Sequence, residues 1–312
     1  MKTAILCNTK IDGGGEQSAQ WLADKIKCPL VSLTTNEWRS CKAKKQIWYM
    51  NNSIYKMLDE RDDFRKVLSY ANEIYIILNF VLGGFHKQMW VEEYPVKKVF
   101  FLNEEKRLEY IEKRCGEQRN LPTVVLPPPV NINKFLGIQR DYRRENLTIG
   151  RHSRISLKYP KEPVPMYEHL YEKTDVDFAF MIPHPKIVKR FPNDKRFLYY
   201  QYNQIPVEDF LGSIDIYLSI INPKTREQGP RTLIEAMASG LPCVVENRNG
   251  MKDRMIDGLT GYLVNSEEET IERAIELVNY KEKRIKMGQA ARMIAATFRP
   301  ERWLEELNVC IG

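Results

Sequence analysis

Glu227 and Glu235 stand eight residues apart in the segment EQGPRTLIEAMASGLPCVVENRNG (Glu227–Gly250), with Gly229-Pro230-Arg231 between them. Two carboxylates so placed can accept hydrogens from hydroxyl groups. The residues between them suit the start of a helix, because proline at the first helical position gives up no hydrogen bond. The N–H groups of that end, from Gly229 to Leu233, form an anion site suited to phosphate. A helix end for phosphate, flanked by two hydroxyl acceptors, fits a ligand that is both phosphorylated and polyhydroxylated. A nucleotide sugar is such a ligand. A capped surface helix with two solvated glutamates would show the same spacing, so the rest of the chain has to decide.

The flanks define the elements that position these acids. SIDIYLSIIN (Ser213–Asn222) is rich in β-branched residues and reads as a strand. Leu233, Ile234 and Met237 make an apolar stripe at helical spacing, and Gly240 ends the helix before Pro242. CVVE (Cys243–Glu246) is the next buried strand. The same alternation runs through the chain. In the first half TAILCNT is a strand, KIDGGG a loop, and a helix follows from about Glu16 to Ile26. CPLVSLT, EIYIILNF and KKVFFL are further strands, whereas the stretch leading to Lys66 shows no clear period. NEEKRLEYIEKRC is a helix capped by Asn103, with acids in its first turn. LPTVVLPPPVNINKF (Leu121–Phe135) is a strand running into three prolines, an extended linker that cannot be helical. Beyond it NLTIGRHSR, DVDFAFMI and TGYLV are strands, PVEDFLGSI is a short helix, and SEEETIERAIELV is a helix capped at Ser266. Alternating strands and helices predict an α/β protein with parallel sheets. Two such halves on a proline-rich hinge would leave a cleft for a ligand.

Composition narrows the class. The chain has 312 residues, enough for two domains, with 43% hydrophobic and 11% aromatic residues. No apolar run reaches the length of a membrane span, and MKTAILCNTK lacks the core of a signal peptide, so a cytoplasmic location is expected. Six cysteines at 7, 28, 41, 115, 243 and 310 form no CxxC pair, which argues against zinc and against a disulfide framework. The net charge is +7. Residues 1–135 hold 21 Lys and Arg against 16 Asp and Glu, so they carry +5 of it. Part of that excess lies in RSCKAKKQIWYMNN (Arg39–Asn52), where lysines run into aromatic residues. Such a segment is either a solvated lysine face or a surface for an anionic partner.

The motifs in order resemble the retaining glycosyltransferases of the GT-B fold, of the family 4 (glycosyl transferases group 1) type. Glu227 and Glu235 match that family's Glu-x7-Glu, EAMASGLP its following signature, NRNGMKD its glycine-containing turn, and DGLTGYLV its Gly-x-x-Gly segment. IGRHSRISLKYP resembles its Gly-Arg-(loop)-Lys element, LPPPVNINKF its hinge, GGGEQS its N-terminal glycine loop, and FRPERWLEEL its last helix. The resemblance implies two Rossmann-like domains facing across a cleft. The first would comprise residues 1–135 with a returning helix at 298–312, and the second residues 136–297. It also implies roles. Arg151 and Lys158 would meet the donor diphosphate, with Arg154 a rival for either place because the loop is longer than usual. Glu227 would hold the transferred sugar and Glu235 the nucleotide ribose. Backbone groups at Gly229, Pro230, Arg231, Thr232 and Leu233 would hold phosphate and sugar. Gly14 and Gly15 would admit the diphosphate from the other domain, and Asp12 and Gln17 would face the acceptor. His86 lies where many members carry a histidine near the sugar.

The reaction implied is transfer from a nucleotide diphosphate sugar, UDP-linked by first expectation, with retention of configuration. The leaving diphosphate takes the acceptor's proton, and no metal or other cofactor is called for. The acceptor would be a surface glycan or a lipid carrier. Lys42, Lys44 and Lys45, beside Trp38, Trp48 and Tyr49, also allow DNA with hydroxymethylated bases, as in phage-type DNA glycosyltransferases. A protein of the same shape that binds nucleotide sugars without transferring them is the remaining alternative.

Overall fold

The computed structural model describes residues 2–8, 14–35, 37–50, 65–78, 90–114, 120–202, 204–225 and 227–312. The chain divides into two compact units, Met1–Pro129 with Glu301–Gly312, and Val130–Pro300. Each is built around one six-stranded parallel sheet.

In the first unit β1 (Thr3–Cys7), β2 (Leu30–Ser32), β3 (Lys45–Met50), β4 (Glu73–Leu78), β5 (Val96–Phe101) and β6 (Thr123–Val125) lie in the order 2-1-3-4-5-6. Parallel strands covered on both faces read as continuous apolar runs, and EIYIIL is buried along nearly its whole length. One face packs under the helices Gly14–Ile26 and Pro300–Ile311, with Ile5, Ile47, Leu22, Trp303 and Leu307 in a single core. The sequence reading missed β3. Its polar start, Lys45-Gln46, hides a strand whose remaining residues are all buried. Gln46 is buried too and fully used: its amide donates to the carbonyls of Ala43 (3.2 Å) and Val67 (2.8 Å) and accepts from the indole of Trp48 (2.9 Å).

In the second unit β7 (Thr148–His152), β8 (Asp177–Met181), β9 (Phe197–Tyr200), β10 (Ile216–Ser219), β11 (Cys243–Glu246) and β12 (Gly261–Val264) take the order 12-11-10-7-8-9. Strand order reverses between β7 and β10. In open α/β sheets the crevice at the carboxyl ends of the two strands flanking such a reversal is where ligands bind. Local signals hold well here. β11 spans CVVE, Gly240 ends the helix Arg231–Ala238 with φ +75°, and the hydroxyl of Ser266 accepts from the Glu269 N–H at 3.1 Å. The helix Glu104–Lys113 of the first unit is capped in the same way by Asn103.

The boundary falls between Pro129 and Val130, six residues before the expected 135/136, because Val130, Ile132 and Phe135 pack into the core of the second unit. The returning segment starts at Glu301 instead of 298, since Phe298 packs against that same core.

Candidate functional site

The site of the second unit is assembled at the strand-order reversal. β7 brings Arg151 and His152, the loop after it brings Arg154 and Lys158, and the loop after β10 brings Glu227 and the helix carrying Glu235. Successive residues of a strand point to opposite faces, so Arg151 and His152 go separate ways.

Arg151, expected against the diphosphate, is buried, with only 1% of it exposed. Its guanidinium lies 3.7 Å from the ring centroid of Tyr159 and donates to the carbonyls of Ile220 and Lys158. The Lys158 carbonyl also accepts from the Asn222 N–H at 2.9 Å. Arg151 therefore staples the loop after β7 to the loop after β10. The cation exposed by this arrangement on the Lys158 side is the ammonium of Lys158 itself, and it pairs with the carboxylate of Glu227. Arg154 is exposed, its guanidinium 5.9 Å from the Tyr202 ring centroid.

Glu227 is fixed from behind by the NRNGMKD turn, to which the sequence reading gave no role beyond the resemblance. The guanidinium of Arg248 donates to four carbonyls of the approaching loop, those of Ile221 (3.0 Å), Asn222 (2.9 Å), Pro223 (3.2 Å) and Thr225 (3.1 Å). The Gly250 N–H bonds the Glu227 carbonyl at 2.9 Å. A Cβ on Gly250 would stand 2.4 Å from the Gln228 carbonyl oxygen, so only glycine permits that approach. The NRNG turn is thus the rear wall of the Glu227 loop. Its acceptors lie 23 to 27 residues upstream of Arg248, a separation no local pattern reports.

The helix end is narrower than the five positions expected. Pro230 has no N–H, the Arg231 N–H turns to Gly229 O (2.8 Å), and that of Leu233 to Pro230 O (3.2 Å). Gly229 and Thr232 keep N–H groups without a backbone carbonyl partner among the described residues. The Leu233 side chain is wholly buried. From Leu233 to Ala238 the helix buries every side chain except that of Glu235, which is partly covered.

Glu235 meets a residue that sequence reasoning had set aside as packing. His152 Nε2 lies 3.6 Å from Glu235 Oε2, and both side chains are largely buried. Burial pushes the Glu235 carboxyl up to about 7, against the lowering influence of Arg231, Lys134 and Arg154. Burial pulls the His152 imidazole down to about 4, with Lys158, Lys134 and Arg154 acting in the same direction. Desolvation disfavours the charged form of each partner, hence the opposite signs.

In the first unit, Gly14 and Gly15 form the first turn of the helix Gly14–Ile26, two residues earlier than expected. Gln17 follows on the same helix. Asp12 and His86 lie outside the described residues. Lys42 and Lys44 are exposed. Lys45, expected on the acceptor, is engaged elsewhere: it donates to the carbonyls of Ile311 (3.0 Å) and Gly312 (3.1 Å) and pairs with Glu73 at 3.4 Å. Trp38, Trp48 and Tyr49 are at most 3% exposed, which removes them as stacking surfaces. Among the described residues no group of three or more His, Cys, Asp or Glu converges as a metal site, and no helix is long and apolar enough to cross a membrane.

This fold, two Rossmann-like α/β domains with parallel sheets, is that of the GT-B glycosyltransferase structures. Residues 190–293 match the family described as glycosyl transferases group 1. Among solved structures, Anabaena HepE in complex with UDP and glucose superposes with a TM-score of 0.70 at 13% identity, covering 99% of both chains. A glycosyltransferase from Rickettsia africae gives 0.71 at 13% identity, over 99% of this chain and 97% of that one. S. aureus TarM, in a complex that includes UDP, gives 0.61 at 19% identity, over 86% of this chain and 55% of TarM. No curated protein matches the chain by sequence.

Proposed function

We propose that the protein is a glycosyltransferase that moves a sugar from a nucleotide diphosphate sugar, UDP-linked in the first instance, to a hydroxyl acceptor with retention of configuration. The observation that carries this reading is the meeting of Lys158, Glu227, His152 and Glu235 where the strand order of the second sheet reverses. Glu227 takes the hydroxyls of the transferred sugar and Glu235 those of the ribose. The leaving diphosphate lies against Lys158 and Arg154, with the helix end at Thr232. Developing charge on a leaving group is best met by cations and dipoles already in place, and the Lys158 ammonium exchanges part of its bond to Glu227 for the phosphate. No metal is required in this scheme, because Lys158 and Arg154 supply the positive charge. That HepE and TarM structures hold UDP supports a uridine nucleotide.

The acceptor is proposed to be a glycan or a lipid carrier met by the first unit. DNA is the weaker reading, because the rings that would have stacked on bases are core residues.

The test is calorimetric titration with UDP in EDTA, followed by transfer from UDP-sugars with the product's anomeric configuration read by NMR. Binding in EDTA and a retained anomer are expected. Glu227→Ala should remove transfer while UDP affinity changes less than threefold (~0.6 kcal/mol). Activity lost in EDTA and restored by magnesium would refute the metal-independent scheme, and an inverted product would refute retention.

A further inference from the structure

We propose that His152 is a positioning residue for Glu235: its neutral imidazole, donating through Nε2, holds the buried carboxylate in place for the donor's ribose and makes donor binding depend on a single proton at this pair. The inference rests on the nucleotide-sugar reading and adds to it a regulating proton.

Geometry comes first. His152 ends β7 and is 5% exposed, its ring 6.5 Å from that of Phe210 on the helix Val207–Ser213. Nε2 faces Glu235 Oε2 at 3.6 Å. That is longer than a hydrogen bond, and closing by about 0.6 Å would make one. Nδ1 is buried without a hydrogen-bond partner. A proton on Nδ1 would be a buried donor lacking an acceptor, which is costly. A proton on Nε2 finds the carboxylate. The neutral Nε2–H form is therefore the one the site favours, and it can orient Glu235 without neutralising it.

The surrounding charges point the same way. Arg231 on the helix of Glu235, Lys134 on the helix Asn133–Leu136, and Arg154 and Lys158 on the loop after β7 all act on the pair. Glu208, on the helix of Phe210, opposes them and is itself paired with Lys134 at 2.6 Å. This cluster of four cations, of which Lys134 is paired with Glu208 and Lys158 with Glu227, repels a further positive charge on His152. It also favours an ionised Glu235, though not enough to offset burial, so the carboxyl titrates at about 7. A carboxylate accepts two ribose hydroxyl hydrogens, whereas a carboxylic acid has a proton of its own to place. Donor affinity should therefore fall as pH drops below about 7.

The experiment has two arms. UDP affinity is measured calorimetrically from pH 5.5 to 9 for wild type, His152→Phe, His152→Asn and Glu235→Gln. Alongside, the Glu235 carboxyl of the unliganded protein is followed by 13C NMR, assigned by its loss in Glu235→Gln. Wild type should lose affinity below neutrality toward a limit of about tenfold per pH unit, as one proton requires. In His152→Phe the carboxyl midpoint and the affinity midpoint should rise together by about one pH unit, and affinity should recover at pH 9. His152→Asn, which restores a donor, should fall between the two. Glu235→Gln should bind weakly and without the inflection. Equal midpoints in wild type and His152→Phe, or a carboxyl titrating below pH 5, would overturn the inference and leave the nucleotide reading intact. Failure of wild type to bind UDP, ADP or GDP at any pH would overturn the nucleotide reading, and the inference with it.

Discussion

Two segments of this chain look chemical on paper, and the structure treats them in opposite ways. Arg39–Asn52 sets lysines beside aromatic rings, and Glu227–Gly250 sets acids beside a glycine-proline turn. In the first, the rings are core: Trp48 is a fully buried strand residue locked by Gln46, and Lys45 is spent on the carbonyls of Ile311 and Gly312. In the second, the apolar residues are core and the acids are only partly covered, Glu227 beside Lys158 and Glu235 beside His152. The difference lies in backbone, not in composition. A parallel strand covered on both faces swallows whatever it carries, whereas the loop after β10 and the helix that follows it leave Glu227 and Glu235 partly open.

This contrast can be broken by substitution. The largest effect should be Trp48→Ala. Emptying a buried indole site should cost about 3–5 kcal/mol and leave the Gln46 amide oxygen without its indole donor, so the thermal midpoint of the first unit should drop. A midpoint within a degree or two of wild type would mean that Trp48 belongs to the surface after all.

Next in size is a pair of opposed pH effects at Glu235 and His152. A carboxyl raised to about 7 from its usual 4.5 holds its proton longer in the folded state, so its contribution to stability is complete below pH 4.5 and is lost as pH rises to about 7. An imidazole lowered to about 4 from 6.5 does the reverse, and stability is gained as pH rises from about 4 to 6.5. Each excursion amounts to on the order of 3 kcal/mol. The two nearly cancel in wild type. Glu235→Gln should unmask the rising limb and His152→Phe the falling one, as read from urea midpoints across pH 4 to 7.5. Parallel pH profiles for the two variants would contradict the assignment.

The smallest effect should come from the lysines. Lys42→Ala with Lys44→Ala should change stability by less than about 0.5 kcal/mol, since both are exposed. If the same double variant loses transfer to a glycan or lipid acceptor, or loses a salt-dependent affinity for duplex DNA, the first segment regains a functional face made of lysines alone.

What was legible in the sequence follows from the range of the forces involved. Ser266, Asn103 and Gly240 announce helix ends because caps and stops act within four residues. β11 was readable as a short apolar run, and the Glu235 helix from an apolar stripe bounded by Pro230 and Gly240. β3 was not, because a buried glutamine needs the distant carbonyl of Val67 to justify it. Arg151 and His152 were both polar and adjacent, and their resemblance to a family motif favoured the arginine. Only the strand's facing decides between them, and it buried the arginine against Tyr159 and set the histidine on Glu235. Arg248 was invisible for a different reason: its acceptors are main-chain carbonyls, which every residue has.

The helix Pro300–Ile311 belongs to the first unit from Glu301 onward, although the 171 residues of the second, Val130–Pro300, come before that point. Trp303 meets Trp21 edge-on at 5.9 Å, and Leu307 and Ile311 close the core over Ile5, Leu22 and Ile47. Lys98 and Tyr75 join Lys45 in holding the carbonyls of Cys310 and Ile311. During synthesis the second unit is therefore the first to have all of its chain available. Until residues 301–312 have been made, the first unit has the helix Gly14–Ile26 on that face of its sheet but lacks Trp303, Leu307 and Ile311, which leaves apolar surface open.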